Sequence, residues 1–131
     1  MTSKKISSTL LKIKSCRQSG NHTEALIRTY HLNLDLIRFL ISSNTPEKNL
    51  GDKKAKELVN DLVKKIDEYP KLKTLITKKS AKALKPWMEK MDVFFKSLKI
   101  KQPTSVSALQ SETEKIVAIL NISVSKQHAK S

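Results

Sequence analysis

Residues 24–41, EALIRTYHLNLDLIRFLI, are the most apolar stretch of the chain. Their leucines, isoleucines and aromatic residues recur at steps of three and four and cover most of the circumference of a helix. A helix that is apolar on nearly all sides must be covered by its neighbours. We therefore predict a central helix from about residue 21 to about residue 43, with the other helices packed around it.

Amphipathic patterns flank this segment on both sides. A lysine-rich helix with apolar positions at Ile6, Leu10 and Ile13 precedes it and is predicted to end at Gly20. Further helical patterns follow at about residues 52–66, 86–98 and 105–124. Between the first two of these, Tyr69 is disfavoured in helical geometry because Pro70 follows it. An elbow is therefore predicted in the middle of the chain.

The chain has 131 residues, of which only two are glycine and four are proline. That length suits one domain. So few turn-forming residues, without any sustained apolar and polar alternation, argue against a β-sheet. We predict an all-α fold, a compact bundle of four to five helices with a kinked middle region. Residues 1–124 would form the domain, and residues 125–131 a flexible basic tail.

The chain shows neither a membrane span nor a secretory signal. It has no run of about 18 consecutive apolar residues, and its first residues lack the succession of basic, apolar and small residues that marks a signal peptide. Its single cysteine, Cys16, fits a reducing compartment. We expect a soluble, cytoplasmic protein without a membrane partner.

The central helix carries one polar face, at spacings of four, three, four and three residues. This polar stripe comprises Glu24, Arg28, His31, Asp35 and Arg38. It can be the solvated side of the helix, with ordinary one-turn pairs between Glu24 and Arg28 and between His31 and Asp35. Alternatively, the arginines bind phosphate or a partner carboxylate, and His31, oriented by Asp35, transfers protons.

The whole chain has a formal net charge of +14, and its basic residues fall in several clusters. The densest lysine belt spans residues 71–101 and contains Lys71, Lys73, Lys78, Lys79, Lys82 and Lys85, followed by Lys96, Lys99 and Lys101. Lysines that neutralise phosphates release counterions and so bind nucleic acid. A helix start near Ser80 would add backbone N–H donors. The belt lacks arginine and aromatic residues, so it predicts phosphate contacts without base stacking.

Two further observations bear on the function, one on the meaning of the basic charge and one on catalysis. Of the 26 basic residues, 23 are lysines, a composition that AT-rich coding sequence also produces. The chain also lacks a glycine-rich phosphate loop, an HExxH motif and a nucleophile elbow, and its three histidines are scattered. The sequence thus disfavours an enzyme and predicts no metal and no other cofactor.

Residues 10–41 resemble the opening helical hairpin of HEPN-family domains. The resemblance rests on a lysine-rich helix, a Ser-Gly-Asn-His turn at residues 19–22 and the apolar segment EALIRTYHLNLDLIRFLI. HEPN domains are compact helical bundles, often associated with nucleic acid or paired in toxin and antitoxin modules, so the resemblance implies an RNA-linked bundle. HEPN ribonucleases carry an arginine and a histidine several residues apart on a late helix. Arg28 and His31 lie closer together and on an early helix, so that motif is not carried over.

Our first hypothesis is a non-enzymatic helical bundle that binds RNA or DNA through phosphate contacts of the lysine belt. The alternative is a protein-interaction or oligomeric assembly module. There the polar stripe and surplus apolar residues of the central helix, such as Ile27, Leu34 and Phe39, would contact a second copy or another protein. A HEPN-type ribonuclease that uses His31, or a toxin–antitoxin component, is the third hypothesis.

Overall fold

The computed structural model describes residues 2–100 and 106–130, without the side chain of Lys130. Within these ranges the helices are α1 (Ser3–Gln18), α2 (His22–Asn44), α3 (Ala55–Glu68), α4 (Pro70–Leu75), α5 (Lys78–Lys82), α6 (Leu84–Lys99) and α7 (Ser107–Lys130). The predicted all-α class is confirmed. Five long helices form the bundle, and the short helices α4 and α5 form its kinked middle region.

The predicted central helix is α2, which packs against α1, α3, α4 and α7. Leu26, Leu36 and Ile37 are completely buried there. Leu34 is also buried, and Ile27 and Phe39 are partly buried against the same core. The bundle itself therefore covers Leu34 and part of Ile27 and Phe39, the apolar residues that the interaction-module hypothesis would place against a partner chain.

The turn between α1 and α2 follows from local sequence. The Thr2 side chain caps α1 by accepting a hydrogen bond from the Lys5 backbone N–H at 3.1 Å. At the other end, Gly20 adopts a φ of 81°, a left-handed conformation that glycine adopts without steric cost. The Asn21 N–H then donates to the Cys16 carbonyl at 2.8 Å. As predicted, α1 ends just before Gly20.

The middle region turns at extended residues, at Tyr69 and again at Ile76 and Thr77. Tyr69, with φ −121° and ψ 106°, ends α3, and Pro70 occupies the first turn of α4. The helix start that we predicted near Ser80, with Ser80 as its cap, lies earlier in the chain. Thr77 caps α5, and its Oγ1 accepts a hydrogen bond from the Ser80 N–H at 3.1 Å. Threonine is among the preferred capping residues, although serine ranks slightly higher, and here it lies three residues earlier.

A small polar network lies inside the apolar core. The completely buried Trp87 donates from its indole Nε1 to the Thr113 hydroxyl at 3.0 Å. Asn33, also completely buried, donates from Nδ2 to the Thr113 carbonyl at 3.2 Å. Thr113 therefore links α2, α6 and α7. Because leaving the buried Trp87 and Asn33 N–H groups unpaired would be costly, these two hydrogen bonds favour one alignment of the three helices.

The last helix is longer than predicted. Residues 125–130, which we predicted as a basic tail, continue α7, and Ser131 lies outside the described residues. Val124 is completely buried, and one turn later the His128 ring lies against Phe39 with ring centroids 5.5 Å apart. The contact with α2 thus extends beyond Val124, the last apolar position of the predicted pattern.

Candidate nucleic-acid interface

Six lysines of the belt are carried by three consecutive helices. Lys71 and Lys73 lie on α4; Lys78, Lys79 and Lys82 lie on α5; and Lys85 lies at the start of α6. All six side chains are exposed, whereas Leu72, Leu75 and Ala81 hold the two short helices in the core. The short helices therefore turn their apolar residues inward and their lysines to the surface.

Three of these lysines converge on one carboxylate, Asp67, near the end of α3. The Lys78 Nζ lies 2.6 Å from the Asp67 Oδ2. The hydrogen bond and charge of Lys78, and then the charges of Lys73 and Lys82, lower the pKa of Asp67 below its ordinary value. The elbow thus brings residues from α4 and α5 onto one surface, which the sequence alone could not show.

A further lysine, Lys126, joins this surface from α7. Lys73 and Lys126 line a shallow cavity of about 170 Å³ whose wall also contains Thr77 and Ser80. We had placed Lys126 in the tail, so its position was missed. The signal for it was helical spacing, because Lys126 follows Ile119, Ile122 and Ser123, which line the same cavity, at steps of three and four.

The rest of the belt lies elsewhere. Lys85 shares a small cavity of about 80 Å³ with Lys56, Asn60 and Glu89, between α3 and α6. Lys96 and Lys99 are exposed in the last turn of α6, and Lys101 lies outside the described residues. We therefore define the α4–α5 surface by the lysines that lie together: Lys71, Lys73, Lys78, Lys79, Lys82 and Lys126.

Most lysines of the belt have no internal counter-ion. In the part of the chain that the structure describes, Lys78 pairs with Asp67, but Lys71, Lys73, Lys79, Lys82 and Lys85 form no ion pair. Lys53 and Lys65 differ, since Lys53 contacts both Glu47 and Asp61 and the Lys65 Nζ lies 2.9 Å from the Glu47 Oε2. Those two lysines hold the loop before α3, whereas the belt lysines remain available to an external anion.

Four residues of the polar stripe on α2 pair with one another in two ion pairs. The Arg28 Nε and Nη2 lie 3.1 and 3.0 Å from the Glu24 Oε1, and Glu24 raises the pKa of Arg28. The Arg38 Nη1 lies 3.2 Å from the Asp35 Oδ1. These contacts are typical of a solvated helix face.

His31 lacks the orienting partner that we expected. Asp35 pairs with Arg38, whose charge is permanent and whose side chain is longer than that of histidine. The exposed His31 ring instead packs edge-on against Tyr30, with ring centroids 5.3 Å apart. The structure therefore assembles no histidine–carboxylate pair at this position for proton transfer.

Other kinds of site are also missing from residues 2–100 and 106–130. They contain no group of three or more histidine, cysteine, aspartate or glutamate side chains placed to hold a metal ion. No helix among them combines the length and apolar character that crossing a membrane requires.

No protein-family model, curated protein sequence or solved structure matches the chain. The resemblance to HEPN domains therefore stays a prediction. The class of protein is defined by its fold and surface, as a small all-α bundle with a lysine-rich side.

Proposed function

We propose that this protein is a non-enzymatic helical bundle that binds RNA or DNA through phosphate contacts of the α4–α5 surface. The observation that carries the proposal is the group of exposed lysines on the short helices α4 and α5, of which Lys78 pairs with Asp67 at 2.6 Å. Of the others, Lys71 and Lys79 are exposed and, among the described residues, form no ion pair. One carboxylate cannot neutralise so many ammonium groups, so the surface keeps a net positive charge.

A phosphate backbone fits this surface better than a small anion does. The lysines are spread over α4, α5 and the last turns of α7, as contacts to successive phosphates would require. Each lysine that neutralises a phosphate releases condensed counterions, which supplies affinity without regard to sequence. Lysine also contacts phosphate as a point charge and does not impose the planar geometry of arginine.

The surface offers no means of reading bases. The large hydrophobic side chains exposed among the described residues are aliphatic, and Tyr69, the aromatic residue next to α4, is partly buried against the core. The two arginines on α2 are bound to Glu24 and Asp35. We therefore expect binding with little sequence preference and a dissociation constant of about 1–100 μM at physiological salt, the range of non-specific complexes.

The test compares two triple variants with the same net charge. One carries Lys71→Glu, Lys79→Glu and Lys82→Glu on the α4–α5 surface, and the control carries Lys4→Glu, Lys5→Glu and Lys12→Glu on α1. All six lysines are exposed, and none forms an ion pair within the described residues. Binding of a labelled single-stranded RNA and a labelled DNA duplex would be measured in about 0.1 M salt, where the Debye length is about 10 Å.

The α4–α5 variant should lose about 100-fold or more in affinity, because about three phosphate contacts disappear. The control should lose less than about tenfold, since its altered charges act only through screened, long-range attraction. Equal losses in the two variants would show that net charge alone attracts the nucleic acid. Unchanged binding of the α4–α5 variant would place the interface elsewhere.

A further inference from the structure

A groove runs between α1 and α7. These helices both pack on α2. At one end of the groove the Arg17 Nη1 lies 2.5 Å from the Glu114 Oε1, and at the other end Ile6 faces Val124 and His128 across a cavity. The beginning of α1 thus lies beside the end of α7, so the two helices are antiparallel.

Two cavities make up the groove, and Leu10 lines both of them. The larger, about 390 Å³, has mainly aliphatic walls formed by Leu10, Ile13, Val117 and Ala118, and the floor comes from Thr29 of α2. The smaller, about 140 Å³, continues past Leu10 towards the start of α1. We call the two together the α1–α7 groove.

The groove has the length and outline of a site for one helix. Its α1 wall extends from Ser3 to Arg17, a span of about 21 Å at 1.5 Å per residue. The wall residues on each helix recur at steps of three and four, so each wall is one helix face. Both walls contain small residues, Ser7 on α1 and Ala118 and Ser125 on α7. An amphipathic helix of about four turns would therefore fit.

Apolar side chains at the groove are not fully covered by the bundle. Leu10 is 37% exposed in the groove wall, and its neighbour Leu11 is 67% exposed. Single exposed leucines are common on protein surfaces. Leu10, unlike Leu11, lines both cavities, so covering its exposed part together with the aliphatic walls would be favourable.

The charges around the groove indicate what net charge a helix that binds there would carry. α1 has five basic residues and no acidic residue. The carboxylate in the groove wall, Glu114, is already held by Arg17 and by the Gln110 Nε2 at 3.2 Å. Lys14 lies in the wall and, within the described residues, has no ion-pair partner. Of the five basic residues, only Lys14 and Arg17 line the groove. Because Arg17 is paired with Glu114, the unpaired charge among the lining residues is the positive charge of Lys14.

We propose that the α1–α7 groove binds an acidic amphipathic helix of a partner protein. The apolar stripe of that helix would cover Leu10, Ile13 and Val117, and its acidic flank would face Lys14. A second copy of this chain also carries +14 and would bring like charges together. A nucleic acid would place its phosphates against aliphatic walls. The charge complementarity therefore favours an acidic protein partner over both.

The experiment uses a phage-displayed library of randomised 16-residue peptides, selected on the full-length protein. Selected peptides should carry apolar residues at helical spacing and a net negative charge. Leu10→Glu and Lys14→Glu should each weaken their binding about tenfold or more, measured by fluorescence anisotropy of the synthetic peptides. Lys14 is exposed, so its variant remains informative if Leu10→Glu impairs folding.

Two matched controls should leave the peptides bound. Lys12→Glu makes the same charge change on the part of α1 that does not line the groove, and Val93→Glu introduces glutamate at a residue of α6 that is 65% exposed. Failure to select such peptides, or equal binding by the Lys14→Glu variant, would overturn the proposal. So would a wild-type dimer in light scattering that Leu10→Glu converts to a monomer, since the groove would then belong to a second copy. These outcomes are independent of RNA binding by the α4–α5 surface.

Discussion

Gly20 shows how one residue determines the first turn of the bundle. Its φ of 81° lies in the left-handed region, where a Cβ atom costs about 1–2 kcal/mol. No heavy atom lies within 4 Å of the position that its Cβ would occupy, so the cost of a side chain there is purely conformational. Gly51 is equally open but does not adopt a positive φ. The two glycines of the chain therefore form a natural comparison.

Gly20→Ala should destabilise the protein by about 1 kcal/mol, because alanine must adopt the left-handed conformation. Gly51→Ala should be neutral or stabilising by up to about 1 kcal/mol, because it restricts the unfolded chain without strain in the folded one. Urea unfolding followed by far-ultraviolet circular dichroism measures both differences. Equal effects of the two substitutions would contradict the assigned role of Gly20.

Most elements could be predicted from the sequence because their apolar residues recur at helical spacing. The caps and ends were harder to predict. Thr77 and Ser80 are both suitable capping residues, and only the path of the chain after Ile76 shows that Thr77 is used. The end of α7 was missed because residues 125–130 lack large apolar residues, while His128 continues the contact with α2 through its ring. The spacing of apolar residues along the chain does not reveal a contact that a histidine ring makes with another helix.

At the level of elements, Thr113 is the residue that joins α2, α6 and α7. Replacing Thr113 by valine keeps the side-chain shape but removes the acceptor for the Trp87 indole N–H. An unpaired buried donor costs about 1–3 kcal/mol, so Thr113→Val should destabilise the protein by about that amount. The control is Thr9→Val. The Thr9 hydroxyl donates only to the Lys5 carbonyl of its own helix, and its loss should change stability by about 0.5 kcal/mol or less.

Urea unfolding monitored by tryptophan fluorescence measures the difference directly, since Trp87 is the only tryptophan. If Thr113→Val were as stable as Thr9→Val, the indole hydrogen bond would not be important for the alignment of the three helices.

At the scale of the whole molecule, the tertiary structure determines which lysine side chains lie next to one another. The sequence showed a dense run of lysines but not that Lys126 would lie beside Lys73 or that Lys85 would lie beside Lys56. Those neighbours come from helices far apart in the chain. The polar stripe on α2 was visible in the sequence. Asp35 pairs with Arg38 and not with His31, and this pairing depends on side-chain length and charge. The α1–α7 groove also required the packing of the first helix beside the last.

The salt dependence of RNA binding tests the central proposal most directly. The logarithm of the association constant of the wild-type protein for a labelled single-stranded RNA would be measured against the logarithm of salt concentration. Four to six phosphate contacts by the α4–α5 surface predict a slope of about −3 to −4. A slope near zero, or no detectable binding in low salt, would contradict a phosphate-binding function.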